Sequence, residues 1–213
     1  YKFLPSGFLL LQWDSNMTDE QTISYARTES VPRGIHVVAK PVGPACNLNC
    51  DYCFYLEKQA LFGPGEQYRM SDEVLSAFIK NYITSQPTPI VEFVWQGGEP
   101  TLMGLDFFRR SILFQQKYKR PGMFIQNTMQ TNGTLLDEDW CRFLAAERFD
   151  VGLSLDGPQE LHDQYRITKS QNPTHKQAMR GYELLRQHRI PCDILCVVHA
   201  QNVQHPTQVY RFF

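Results

Sequence analysis

From residue 34 onward the chain alternates between two apolar patterns. Short β-branched or aromatic runs bounded by glycine, proline or asparagine read as strands; longer stretches with apolar residues three and four apart read as helices. GIHVVAKPV (34–42) is the first strand. SDEVLSAFIKNYITS (71–85) is a helix in which Ser71 is placed to cap, Asp72 and Glu73 occupy the first turn, and Val74, Leu75, Phe78, Ile79 and Tyr82 share the helical spacing. IVEFVWQ (90–96) is a strand closed by Gly97 and Gly98, and LDFFRRSILFQQKYK (105–119) a helix stopped before Pro121 and Gly122. MFIQNTMQT (123–131) is a strand ended by Asn132 and Gly133. A helix over 136–149, a strand over 150–157, a helix over 174–189, a strand over 191–200 and the start of a helix at VYRFF complete the order.

Helices of this length between strands predict βα units around a parallel sheet, an α/β fold. The polar and glycine-bearing stretches all follow strands: the loop after residue 42, then QGGEP, QTNG, SLDGP and HAQN. In a parallel barrel such stretches share the C-terminal rim, where active sites are built.

Composition narrows the partners more than the fold. With 213 residues, 42% of them hydrophobic, there is material for one core. Lys and Arg number 21 against 22 Asp and Glu, so no overall field recruits nucleic acid or an anionic membrane, and neither is expected as a partner. The apolar run Phe8 to Leu11 is too short to span a bilayer, and Lys2 alone does not make a signal-peptide n-region. Residues 1–33 are expected to form an N-terminal arm, with 1–16 a non-native upstream segment ahead of Met17. The ending QVYRFF reads as a helix cut in mid-course, so a core over 34–213 is expected to be incomplete at its C-terminus.

The chemistry centres on Cys46, Cys50 and Cys53 in PACNLNCDYCFY, a C-x3-C-x2-C spacing with no further cysteine until Cys141. Three thiolates on one loop can hold three corners of a four-iron, four-sulfur cube and leave one iron open, whereas electron-transfer clusters are usually closed by four cysteines. A zinc site is the alternative, but structural zinc normally takes four ligands and no second C-x2-C knuckle is present. Buried thiols without a metal are the third reading. Six cysteines clustered in this way do not make a secreted disulfide framework; they fit a reducing, cytoplasmic interior. Gly97 and Gly98 allow close backbone approach, and Glu99 offers a carboxylate suited to an ammonium group, although Gly-Gly-x-Pro also makes an ordinary turn. Ser154 and Asp156 lie two apart at a strand end, with Arg166 following. Cys141, Cys192, Cys196 and His36 read as packing residues, and His199 as structural.

The cysteine spacing, with Tyr52 at the aromatic position, resembles that of radical S-adenosylmethionine (SAM) enzymes. The strings KPVGPACNLNCDYCFYLEK, FVWQGGEPTLMG, QTNGTLLDEDWC and VGLSLDGPQELHDQYRITK resemble, in order and from about Gly34 to Phe213, anaerobic sulfatase-maturating enzymes. The resemblance implies a partial (β/α)6 TIM-like barrel of radical SAM type, here truncated after about five strands. It implies a [4Fe-4S] cluster on Cys46, Cys50 and Cys53, and S-adenosylmethionine held by Tyr52, Gly97, Gly98, Glu99, Ser154 and Arg166. Tyr55, Gln96, Gln130 and Asn132 would lie near the substrate. The implied reaction oxidises a Cys or Ser side chain of a sulfatase polypeptide to Cα-formylglycine, with electrons from a flavodoxin- or ferredoxin-type donor. The family's C-terminal domain, with auxiliary clusters and a proposed catalytic aspartate, is absent from this sequence, so no catalytic residue is assignable. A thioether-forming radical SAM maturase shares this layout, and a non-catalytic zinc-binding βα domain is the non-enzymatic alternative.

Overall fold

Five parallel strands stand side by side in chain order in the computed structural model, which describes residues 34–61 and 69–213. The expected arm over 1–33, and with it the reading of 1–16, lies outside the described residues. The strands are β1 (Val37–Ala39), β2 (Ile90–Trp95), β3 (Phe124–Thr131), β4 (Phe149–Ser154) and β5 (Cys192–Leu195). Helices α1 (Asp72–Ser85), α2 (Leu105–Tyr118), α3 (Glu138–Ala146), a short α4 (Gln159–His162), α5 (His175–Gln187) and α6 (Pro206–Phe212) alternate with them. A doubly wound sheet reverses its strand order at a switch point; this order never reverses, which is the arrangement of a barrel wall. The α/β, partial TIM-like architecture expected from the sequence is the one observed.

The period of two along each strand separates two faces. Val91, Phe93 and Trp95 of β2, Met129 of β3, and Phe149 and Val151 of β4 are buried in one core with Leu75, Ile79 and Ile83 of α1, Phe107 and Phe108 of α2, Leu144 of α3 and Leu185 of α5. Trp95 takes Phe107 and Phe108 edge-on, with ring centroids 6.0 and 5.6 Å apart. Each such side chain contributes about 1.5–3 kcal/mol on burial, so this helix-facing side carries the stability. A polar inclusion in it is fully paired: Asn127 Oδ1 accepts from Trp95 Nε1 at 3.0 Å and from Gln115 Nε2 at 2.8 Å. The opposite face presents Glu92, Thr128, Gln130, Asp150 and Ser154, all half-buried.

Element ends depart from expectation for local reasons. β1 keeps only three of the residues in 34–42, because Pro41 has no N–H and residues 41–44 turn, with Gly43 N–H donating to Lys40 O. The third helix spans nine residues rather than 136–149: Asp137 caps it by accepting from Trp140 N–H, Arg148 adopts a left-handed φ of 53°, and Phe149 already belongs to β4. β4 and β5 stop short of the expected 157 and 200. The last helix starts at Pro206, ahead of VYRFF. Ser71 caps α1 as expected, but Val74 is exposed and Ile83 takes the buried place. His36 is not a core residue: its side chain is 82% exposed and lies 3.6 Å from Glu92 on the polar face.

Candidate active site

The cysteine loop is held from three directions. From the end of β2, Gly98 N–H donates to Gly43 O and Glu99 N–H to Ala45 O, both at 2.8 Å. A Cβ on Gly98 would stand 1.9 Å from Ala45 O, and one on Gly97, at φ 126°, 2.9 Å from Gly43 O. The glycine pair is required here by the approach of another stretch of backbone. From the end of β3, Asn132 Nδ2 donates to Asn47 Oδ1 at 2.9 Å and faces Cys46 Sγ at 3.8 Å, while Asn47 Nδ2 donates to Thr134 Oγ1 at 2.9 Å. Beyond β4, Asn49 N–H donates to Ile167 O at 2.8 Å and Asp51 N–H to Tyr165 O at 3.3 Å, and Leu48 bridges Thr168 antiparallel.

This clamp keeps the three thiols together. Cys50 is buried, Cys46 and Cys53 half-buried, and all are free. Cys46 feels the charge of Cys53, and Cys50 that of both. Burial pushes Cys46 up to about 11 and Cys50 up to about 12, so these two thiols are protonated at neutral pH and must lose their protons to bind metal. Leu48 N–H, 3.3 Å from Cys46 Sγ, pulls the other way. Among the described residues no three His, Cys, Asp or Glu side chains converge on a point that one ion could fill. A multi-iron cluster spreads its ligands round its own volume, and three soft thiolate donors suit it. The donor set fits such a group.

Glu99 is only 1% exposed and its carboxylate is heavily engaged. Oε1 accepts from Thr101 N–H at 3.1 Å, Thr101 Oγ1 at 2.7 Å and Thr131 Oγ1 at 2.7 Å; Oε2 accepts from Asn132 N–H at 2.8 Å. Burial raises its pKa against the pull of these donors. Glu99 therefore ties the end of β2 to the end of β3, and its Oε2 faces the same turn that holds the cysteine loop.

Arg166 is no surface charge. Its guanidinium is bidentate to Asp156, Nε to Oδ2 at 2.8 Å and Nη2 to Oδ1 at 3.0 Å, with side chains 7% and 0% exposed. Burial opposes its charge, but the Asp156 carboxylate outweighs this and raises its pKa. Asp156 also accepts from Tyr52 Oη at 2.5 Å and Val197 N–H at 2.8 Å. Burial, with the Asp156 charge, drives the Tyr52 hydroxyl well above its ordinary pKa, although Arg166 pulls it down. The Tyr52 ring has the Arg166 guanidinium 5.5 Å from its centroid and His199 stacked at 6.1 Å, and Tyr165 packs against both rings.

The remaining expected residues go to three places. Gln130 Nε2 donates to Ser154 Oγ at 3.0 Å, and these two share the polar face with half-buried Gln96. Asn132, 8% exposed, is taken up by the cysteine loop and Glu99. Tyr55 stands to one side, against Phe54 at 4.2 Å and under Lys40 Nζ at 5.1 Å. Cys141 lies in the core; Cys192 and Cys196 are half-buried. Sequence reasoning passed over Thr134, His162 and Thr174, and gave Asp156 no role beyond its place at a strand end. The D-x5-H-x3-R spacing of Asp156, His162 and Arg166 was the readable signal: a His and an Arg four apart meet when the intervening segment turns helically.

A family model described as the Radical SAM superfamily matches residues 41–213. The serine-type anaerobic sulfatase-maturating enzyme of Bacteroides thetaiotaomicron is 44% identical over 179 residues, 84% of this chain and 43% of that protein. A cysteine-type anaerobic sulfatase-maturating enzyme of Clostridium perfringens is 37% identical over 179 residues, 84% of this chain and 48% of its own length. Among solved structures, native anSMEcpe with bound AdoMet and Cp18Cys peptide aligns with a TM-score of 0.76 at 38% identity, covering 83% of this chain and 46% of that one. The chain spans about half the length of the relatives it matches.

Proposed function

The chain belongs to the radical SAM superfamily, and on that premise we propose that it is the core of an anaerobic sulfatase-maturating enzyme. In this reading it is an oxidoreductase that converts a Cys or Ser side chain of a sulfatase polypeptide to Cα-formylglycine. The observation that carries the proposal is the cysteine loop: three thiols on one loop, clamped by the Gly97–Gly98–Glu99 backbone at the rim of a parallel barrel wall. Relatives of both the serine and the cysteine type, at 44% and 37% identity, support the reaction class.

Cys46, Cys50 and Cys53 would hold a [4Fe-4S] cluster. Tyr52, Gly97, Gly98, Glu99, Ser154 and Arg166 would surround S-adenosylmethionine. When bound and reduced by a flavodoxin- or ferredoxin-type donor, this pair supplies a carbon radical able to take a hydrogen atom from an unactivated C–H bond. The chain's own work is to give up the Cys46 and Cys50 protons, to hold the loop against the ends of β2 and β3, and to keep water from it with the Tyr52, Tyr165 and His199 rings. Glu99 and Arg166 reach a ligand only with what their protein partners leave free, the second side of Oε2 and the outer N–H groups. Gln96, Gln130 and Ser154 offer amide and hydroxyl groups on the polar face, the chemistry that an extended peptide backbone needs.

Anaerobic reconstitution should give about four irons per chain, and Cys46→Ala, Cys50→Ala or Cys53→Ala should each abolish the cluster. Cys141→Ala, Cys192→Ala and Cys196→Ala should leave iron content unchanged. Full iron in the triple variant of the loop would overturn the metal assignment. With strong reductant, mass spectrometry should find 5′-deoxyadenosine and, on a Cys- or Ser-containing sulfatase peptide presented to the full-length protein, the aldehyde. A thioether product instead would move the chain to another branch of peptide modifiers.

A further inference from the structure

His162 is 1% exposed and Thr174 likewise, and neither belongs to the ligand set above. They close a ring of hydrogen bonds. Asp156 N–H donates to His162 Nδ1 at 3.3 Å, His162 Nε2 lies 3.2 Å from Thr174 Oγ1, and Thr174 Oγ1 donates to Arg166 O at 2.5 Å. The Arg166 guanidinium then returns to the Asp156 carboxylate. Only one proton arrangement satisfies every member. Because the Thr174 proton goes to Arg166 O, its oxygen must accept from His162, which fixes the Nε2–H tautomer and leaves Nδ1 to accept from Asp156. Thr174 is itself fixed at the head of α5, where Asp163 Oδ1 accepts from both Thr174 N–H and His175 N–H.

The ring touches the cysteine loop in two places. Asp156 accepts from Tyr52 Oη, between Cys50 and Cys53, and residues 165 and 167 on either side of Arg166 accept from the loop amides of Asp51 and Asn49. We infer that His162 and Thr174 are positioning residues: through this ring they fix the Arg166–Asp156 pair, and through it Tyr52 and the stretch of loop that carries Cys50 and Cys53. A buried polar ring is rigid only when every member is paired, so one missing hydroxyl should loosen the whole unit. The consequence for cofactor binding rests on the radical SAM reading; the consequence for the loop does not.

Thr174→Val removes the acceptor for His162 and the donor to Arg166 while keeping the side chain's volume, and Thr174→Ser keeps the hydroxyl. Without cofactor, hydrogen–deuterium exchange in the peptide covering 46–56 should quicken about tenfold or more in Thr174→Val and His162→Phe, with β2 and β3 unchanged. Thr174→Ser should match the parent chain, as should Leu185→Ala, which weakens α5 through the core alone. After reconstitution, Thr174→Val should retain its iron but bind S-adenosylmethionine roughly five- to thirtyfold more weakly. Unchanged loop exchange in both ring variants overturns the inference, as does equal loosening by Leu185→Ala. If the loop responds as expected but the parent chain binds no S-adenosylmethionine, the positioning role stands on the exchange data and the proposed function falls.

Discussion

Two of the three sides that hold the cysteine loop are built by opposite means. On the β2 side, backbone meets backbone: Gly98 N–H and Glu99 N–H reach Gly43 O and Ala45 O, and not even a methyl group fits between. On the side beyond β4, backbone pairing at Asn49 and Asp51 is backed by buried side chains, Asp156, His162, Arg166 and Thr174, that carry charge and protons. The first flank is all-or-none, because its only adjustable feature is the absence of a side chain. The second is graded and answers to pH, because His162 can gain a proton and the others can each lose a partner. A loop that carries three thiols is thus given one rigid wall and one wall that can be tuned.

The comparison breaks most sharply at Gly98. Gly98→Ala should destabilise the chain by about 3 kcal/mol or more, since backbone at 1.9 Å must move, and should empty the loop of iron. Urea unfolding with iron analysis checks both, and a well-folded, iron-loaded variant would show that the glycine wall yields. Acid tests the other flank. Burial, aided by Arg166, lowers the His162 pKa to about 4 from 6.5. Above pH 6.5 the ring is fully intact. As pH falls, the unfolded chain takes up a proton that the folded one refuses until about pH 4, so up to about 3 kcal/mol of stability is lost across that window. His162→Phe should flatten that part of the stability profile, and an unaltered slope would remove His162 from the account.

Smaller effects sharpen the distinction. Glu99→Ala should weaken S-adenosylmethionine binding about ten- to a hundredfold, or about 1.5–3 kcal/mol, and leave the cluster in place. Titration of the reconstituted protein measures this, and an unchanged dissociation constant would leave Glu99 only its brace between β2 and β3. Gly104→Ala should cost least. Gly104 has φ 80° and ψ 160° but nothing within 4 Å of an added Cβ, so backbone strain of about 1–3 kcal/mol is the whole penalty. Thermal unfolding that found Gly104→Ala as damaging as Gly98→Ala would mean that conformation, and not crowding, makes these glycines necessary.

Much of this was legible in the residues. The alternating periods set the five strands and their helices, because a face that must be buried repeats every two residues in one element and every three or four in the other. The C-x3-C-x2-C spacing picked out the three-thiol loop, because side chains on one short loop need no tertiary structure to be neighbours. Cap residues such as Ser71 were visible for the same reason, since their partners lie three residues away. Whatever depended on distance along the chain was hidden. Gly97 and Gly98 announced a close approach, but only the fold showed that Ala45 and Gly43 are what approach. Glu99 looked like a free carboxylate until β3 brought Thr131 and Asn132 to it, 32 and 33 positions away. His36 read as core because its strand is apolar, yet β1 lies where that side chain faces the polar side of the sheet. Local spacing determined the parts and the thiol chemistry; the packing of one βα unit on the next decided which polar groups found partners, and so which remain free for a ligand.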